Sequence, residues 1–351
     1  MLKRKIAVAI GTAICASAAH AQTSVQLYGI VDTALYYQTK VQNVSGGFVG
    51  LLDGAWKPSI YGMRGKEDLG GGLSAFFNLQ GGFSSDTGNF GNSTGGIFGR
   101  LAYLGLKSEK LGSVAFGLQH SPFFLTLYES DPRSLSHSGS QLVPFIQQFG
   151  LTGVFDPNSV VYQSPDLYGF NVKGSYSFGE VPGSMGTGQR YSASIEYDKE
   201  PVLVNAAIYR AKAANAAASD AKGWTVGAGY KFGDLVVKAN FANYNTPTGA
   251  TPINNLDVLG LGLAYKFTPA ITGDAGVYLA RNRNNHDDKS LTFAVGGEYH
   301  FSKRTLLFTQ IGLIKNDGAM QMGFAVNAGP TLTVPRDATT VAAQLGIRHS
   351  F

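Results

Sequence analysis

LTFAVGGEYHF, residues 291–301, decides how the rest of the chain is read. Leu291, Phe293, Val295, Gly297, Tyr299 and Phe301 share one parity, and Thr292, Ala294, Gly296, Glu298 and His300 share the other. Side chains on a strand point alternately to opposite faces, so this stretch is a strand with one oily and one wettable face. The rhythm returns at 170–178, where Phe170, Val172, Tyr176 and Phe178 alternate with Asn171, Lys173, Ser175 and Ser177. It returns again at 224–232 and 258–267. Each run covers roughly 9–11 residues, the length a tilted strand needs to cross a bilayer. Strands of soluble proteins are usually shorter, about 5–6 residues.

Short turns punctuate these runs: DLGGG (68–72), EKLG (109–112), PDLYG (165–169), DKEP (198–201), GD (233–234), TPA (268–270) and SKR (302–304). From the third onward they recur roughly every 33–36 residues, room for one strand out, a longer polar loop and one strand back. Seven turns join seven pairs of strands; adding the first and last strands gives sixteen. The opposite ends carry longer polar stretches such as SSDTGNFGNSTGG and RNRNNHDDK. Short turns on one side and long loops on the other are the pattern of an antiparallel transmembrane β-barrel, with periplasmic turns and extracellular loops.

Aromatic placement agrees. Tyr230-Lys231-Phe232, Tyr265-Lys266-Phe267 and Tyr299-His300-Phe301 each stand just before a short turn, and Tyr197 continues the series one unit earlier. Amphipathic rings favour the membrane–water boundary, so these form a girdle at the turn side. A soluble sandwich would place its aromatics in a core and would not need them repeatedly beside turns. The last residues, TTVAAQLGIRHSF, alternate up to Phe351. That final strand is expected to pair with the first, around residues 24–37, leaving no open edge.

The front end, MLKRKIAVAIGTAICASAAHAQ, has a basic start, a short apolar run and the small-residue site Ala19-His20-Ala21. It reads as a secretory signal peptide over 1–21, with a single barrel domain over 22–351. Cys15, the sole cysteine, lies inside the leader, so the mature chain has no disulfide. Taking Lys3, Arg4 and Lys5 from the 28 basic residues leaves 25 against 23 acidic, a net charge near +2 that gives no support for nucleic-acid binding. Charged residues make up only 15% of the chain, below the usual quarter, while glycine reaches 46 residues and aromatics 12%. No run after the leader is long enough for a membrane-spanning helix, but a closed barrel also satisfies every backbone group in lipid.

Catalytic constellations are missing from the pattern. The six histidines are scattered, no thiolate metal site is possible without cysteine, and no glycine-rich loop stands between a strand and a helix. No cofactor, metal or enzymatic activity is expected. Asn92-Ser93-Thr94 fits a glycosylation sequon by chance.

In order along the chain, SVQLYGIVD, YGMRGKEDLGGGLSAFFNLQGGF, IFGRLAYLGL, NSVVYQSPDLYGF and the final GIRHSF resemble landmarks of the Gram-negative trimeric general porin family. The similarity spans the mature chain, and the EDLGGGL block with the terminal Phe is specific in combination. It implies a sixteen-stranded outer-membrane barrel, a homotrimer, whose third loop folds into the lumen and whose Phe351 is read by the barrel assembly machinery. Implied partners are outer-membrane lipid, lipopolysaccharide, and the small hydrophilic solutes and ions that diffuse through the pore.

The longest non-alternating stretch, 121–157, is the candidate third loop and carries Glu129, Asp131, Arg133 and Asp156. On the wall, Arg64 and Arg100 match basic positions of the family. Parity places both inward, Tyr61 and Met63 opposing Arg64, Leu101 and Tyr103 opposing Arg100. Lys173, Lys238, Glu196 and Glu298 face inward by the same reasoning. The expected constriction sets Arg64 and Arg100 across from Glu129 and Asp131, with Arg133 and Lys173 beside them. The chain departs from the family at Ile60 and Leu118, where arginines are frequent, and at FDPN before NSVVYQ. Lost cations weaken the expected anion preference. They leave two readings, weak ion selectivity or a pore suited to less polar or aromatic solutes. A surface-binding barrel, an adhesin or phage receptor, is the alternative from another class.

Overall fold

Alternating side chains and turn glycines produce the ladder the sequence demands. The computed structural model describes residues 24–91, 95–215, 219–247, 253–328 and 333–351; the leader and the 92–94 sequon lie outside them. The strands are β1 (Ser24–Gln38), β2 (Phe48–Asp53), β3 (Ile60–Gly70), β4 (Leu73–Gly82), β5 (Leu101–Ser108) and β6 (Gly112–Gln119). They continue with β7 (Asp156–Gln163), β8 (Phe170–Ser177), β9 (Arg190–Lys199), β10 (Val202–Ala211), β11 (Ala221–Phe232) and β12 (Leu235–Asn245). The last are β13 (Asn255–Thr268), β14 (Ile271–Asn282), β15 (Lys289–His300), β16 (Thr305–Asp317) and β17 (Thr339–Ser350). Two helices, α1 (Pro122–Ser130) and α2 (Leu142–Phe149), lie between β6 and β7.

Neighbouring strands are antiparallel, and the sheet closes where β1 meets β17, from Ile30 opposite Ser350 to Gln38 opposite Ala342. Gly29 and Phe351 complete the seam by exchanging both backbone hydrogen bonds at 3.1 Å. The Phe351 ring lies over Gly29 so closely that an added Cβ would stand 2.3 Å from it, so only glycine fits there.

Seventeen segments make sixteen staves. The outer half of β1 pairs with β2 and its inner half with β3, so β2 and β3 are one stave broken at residues 54–59, GAWKPS. Pro58 has no N–H to give a ladder, and Gly54 adopts φ 57°. The freed backbone is caught by Asp32 of β1, whose carboxylate accepts from Trp56 N at 3.3 Å and Lys57 N at 3.0 Å. Asp32 N in turn donates to Ser59 Oγ at 3.0 Å. The alternation in β1 does not announce this break, because the residues that leave the ladder are in the next stave.

All seven predicted turns fall between consecutive paired strands. Outside, Leu259, Leu261 and Leu263 are exposed as the lipid-facing row of β13. At the turn ends the girdle rings meet in pairs along each strand, Tyr230 tilted on Phe232 at 4.3 Å, and Tyr265 edge-to-face with Phe267 at 4.9 Å and Tyr299 with Phe301 at 5.1 Å. The buried apolar cluster is inside, where the 121–155 segment packs on the wall.

Candidate functional site

The segment between β6 and β7 folds into helices because its apolar residues repeat at helical spacing, Phe123 with Leu127 and Phe145 with Phe149. Ser121 caps α1 by accepting from Phe124 N at 3.1 Å, with Pro122 in the first turn. The helix lies on the inner faces of β9 to β11. Phe123 N donates to Ser192 Oγ at 3.0 Å, and Asn205 Nδ2 donates to Thr126 O at 3.1 Å. Gly227 admits the helix end, since a Cβ there would stand 2.2 Å from Ser130 Cβ. Phe123, Phe145 and Phe149 close on Tyr209 and Tyr244 of the wall, with ring centroids 5.4–6.4 Å apart. On the lumen side Tyr128 is exposed and Leu125 and Glu129 are half-buried, while Phe124 packs on His120 and Phe145 with ring centroids 5.1 and 5.9 Å apart.

Beyond α1 the chain is tied down by charge. Asp131 is fully buried: Oδ1 accepts from Arg133 N and Leu135 N at 2.9 Å and from the Tyr278 hydroxyl at 3.3 Å, and Oδ2 accepts from Gln141 N at 3.2 Å. Arg133, also buried, forms an ion pair with Asp274 of β14 and donates from Nη1 to Ser138 O and Gly139 O at 2.8 Å. Asp156 closes the base of the segment, accepting from Gly153 N at 3.0 Å, Arg190 Nη1 at 2.7 Å and the Tyr209 hydroxyl at 3.0 Å.

The tip crosses to the broken stave. Lys57 Nζ donates to Ser134 O at 2.5 Å and lies 4.9 Å from the centre of the Tyr128 ring. His137 N donates to Trp56 O at 3.0 Å, and Ala55 O accepts from Ser138 Oγ at 2.9 Å and Gln344 Nε2 at 3.0 Å. The 54–59 break is thus a built dock for the loop, held from both sides. Burial pushes the Lys57 ammonium down to about 8.

On the facing wall, Arg64 donates from Nε and Nη2 to Gln26 Oε1 at 3.0 and 2.9 Å and lies 5.2 Å from the Tyr28 ring centre. Arg100 donates to Gln80 Oε1 at 3.2 Å and lies 4.8 Å from the Phe155 ring centre. It also borders a cavity of about 260 Å³ with Asp53, Asp86 and His137. Both arginines therefore hold neutral partners, not Glu129 or Asp131. Arg100 reaches the lumen by a different route from the one parity suggests. Leu101 and Tyr103 lie on the inner face, opposite Gln80 and Asn78, and Arg100 turns inward because it precedes β5.

Glu129 pairs instead with Lys173 of β8 at 3.5 Å, and its backbone carbonyl accepts from Lys238 Nζ at 2.6 Å. Burial, reinforced by the neighbouring Glu196 carboxyl, pushes Glu129 up to about 8. Asp131 and Arg133 anchor the loop from within it. Sequence reasoning passed over Lys57 and Arg348, whose guanidinium stacks 4.9 Å from the Trp56 ring centre. Arg348 was readable from the parity of the last strand; Lys57 sits outside any alternating run. Among the described residues, no group of three His, Cys, Asp or Glu side chains is placed to hold a metal ion.

A family model described as Gram-negative porin matches residues 7–319. The chain is 29% identical to outer membrane porin protein 32 of Delftia acidovorans, over 99% of this chain and 100% of that one. It is 27% identical to an outer membrane porin protein of Bordetella pertussis, with 100% of both chains covered. Among solved structures, the anion-selective porin from Comamonas acidovorans superposes with a TM-score of 0.81 at 24% identity, over 94% of this chain and all of that one.

Proposed function

The chain belongs to the Gram-negative porin family, and from that premise we propose how its lumen selects what passes. The barrel is an outer-membrane channel for passive diffusion of small solutes and ions, and it needs no cofactor. Solutes pass between the open face of α1 and the wall that carries Arg64 and Arg100. The observation that carries the reading is the unequal compensation of charge. Glu129 is held by Lys173 and Asp274 by Arg133, whereas Arg64 and Arg100 hydrogen-bond only to amide oxygens. With Lys57 and Arg348 nearby and Asp32 and Asp53 offsetting part of the charge, the free field is modestly positive, favouring small anions. Single-channel recording in a salt gradient tests this. A reversal potential of cation-preferring sign would sink the selectivity claim, and absence of any conductance would favour a surface-binding barrel.

The remaining assignments follow the family. Residues 1–21 act as a cleaved leader, the mature chain assembles as a homotrimer, and Phe351 serves the assembly machinery as a recognition ring. A band that shifts on boiling before electrophoresis checks the trimer. The apolar side chains Leu125 and Tyr128 on the lumen side of α1 favour a second reading of the solute. An apolar face opposite arginines suits aromatic carboxylates, and liposome swelling with benzoate against acetate separates that reading from a general pore.

A further inference from the structure

A recess beside the broken stave holds charges of both signs that do not meet. It is the cavity of about 260 Å³ bordered by Asp53, Asp86, Arg100 and His137, with Leu52 and Phe83 among its apolar lining. Arg100 is held on its own side: Nε donates to Gln80 Oε1 at 3.2 Å, the backbone N–H donates to Gln80 O at 3.1 Å, and the guanidinium lies over the Phe155 ring. Among the described residues, neither of its Nη groups has an acceptor. Asp53 is pinned as well, since Oδ1 accepts from Ser59 Oγ at 2.6 Å and from Ser85 N at 2.9 Å, leaving Oδ2 free. Asp86 is exposed on the long loop after β4. Among the described residues neither acid has an ion-pair partner, although Arg100 borders the same space. His137 adds no charge: burial, with Arg100 nearby, holds its imidazole down to about 3.

Resting on the channel reading above, we propose that this recess binds a small zwitterion, an α-amino acid of short side chain, with its carboxylate on Arg100 and its ammonium on Asp53 and Asp86. The balance of charge selects this class. A bare anion drawn to Arg100 meets two carboxylates, and a bare cation drawn to the acids meets a guanidinium. A solute charged oppositely at its two ends finds a partner for each, and neither fixed charge has to move. The free Nη groups offer the planar fork that a carboxylate fits. At about 260 Å³ the recess is just below the range of about 300–1,000 Å³ usual for ligand pockets, so the side chain has to be small. Asp86 belongs to a long loop, which places the recess toward the mouth where solutes enter from outside.

Ligand-observed NMR of the purified protein in detergent tests this with L-alanine, propionate and ethylamine as probes. The last two are alanine without its ammonium and alanine without its carboxylate. Wild type should bind alanine roughly tenfold more tightly than either. Asp53→Asn combined with Asp86→Asn should weaken alanine by about tenfold and strengthen propionate, because the repelling charges are gone. Arg100→Gln should weaken alanine and strengthen ethylamine. Two probes moving in opposite directions in one variant is a result that a collapsed site does not give. Asp86→Asn alone, a change to an exposed side chain, should weaken alanine by roughly threefold. Propionate bound as tightly as alanine by wild type, or alanine bound unchanged by the variant lacking both acids, would overturn the proposal. Bilayer conductance in salt is recorded on the same samples. Protein that conducts without discriminating among the probes removes the recess alone, whereas protein that discriminates without conducting removes the channel reading.

Discussion

Strands β10–β16 and the stretch from β1 to β7 are built on the same two-residue alternation, yet only one of them keeps it. From β10 to β16 each ladder runs unbroken except for one irregularity beside a turn, between Lys266 and Thr268. From β1 to β7 the second stave breaks at 54–59, the ladder shifts between Asp68 and Gly70 and between Gly117 and Gln119, and 121–155 leaves the wall altogether. The first region turns oil outward, pairs its backbone and receives the loop on inward side chains such as Tyr209, Asp274 and Tyr278, all of which a period of two allows without a break. The second also has to furnish the lumen. The stave break and the loop free backbone groups that the buried Asp32 and Asp131 take up, while the shift at Asp68 lies beside an exposed turn, where Asp68 accepts from Gly70 N.

The contrast predicts that damage to the loop or the inward wall changes permeation and damage to the lipid face changes stability. The largest effect is expected at Asp131. Asp131→Ala strands three backbone N–H groups and the Tyr278 hydroxyl, each costing about 1–3 kcal/mol when left unpaired in the interior. The 121–155 segment should become cleavable by protease and the channel current larger and noisier, while the barrel persists. A quiet channel of unchanged conductance would break the comparison. Next is Leu261→Arg, midway along β13 on the lipid face, expected to cost about 2–4 kcal/mol in urea-dependent folding into vesicles. Its reversal potential should not move.

Smaller still is the combined change Arg64→Gln and Arg100→Gln. It should bring the reversal potential in a salt gradient close to zero without altering heat stability, since both side chains leave only neutral partners behind. The slightest effect is that of pH. Lys57, lowered to about 8, is charged below that value and neutral above it. Glu129, raised to about 8, is neutral below it and negative above it. Both changes subtract positive charge as pH rises, so anion preference should decline between pH 7 and pH 9. Lys57→Gln combined with Glu129→Gln should flatten that profile; a decline of the same size in the double variant would assign it elsewhere.

The wall was legible because its signal is local. The alternation, the turn glycines and the repeated Tyr-x-Phe blocks are each read within a dozen residues and need no knowledge of a partner. Inward placement of Arg64, Lys173 and Lys238 came from the same source. Arg100 shows where that source stops: parity holds only for residues inside the ladder, and Arg100 stands one residue before β5 begins. For Glu129 and Asp131 the charges were visible but their commitments were not. Asp131 is claimed by three nearby backbone N–H groups and by Tyr278, 147 residues away, and Glu129 by Lys173, 44 residues away.

The sequence alone determined that this chain becomes a closed lipid-facing cylinder of sixteen staves, because a strand's two faces are written in neighbouring residues. Only the tertiary structure decided that the second stave breaks to dock the third loop, and which charges are left uncompensated in the lumen. Those outcomes depend on which distant side chains meet once the cylinder has closed, and a residue's neighbours in sequence carry no record of that meeting.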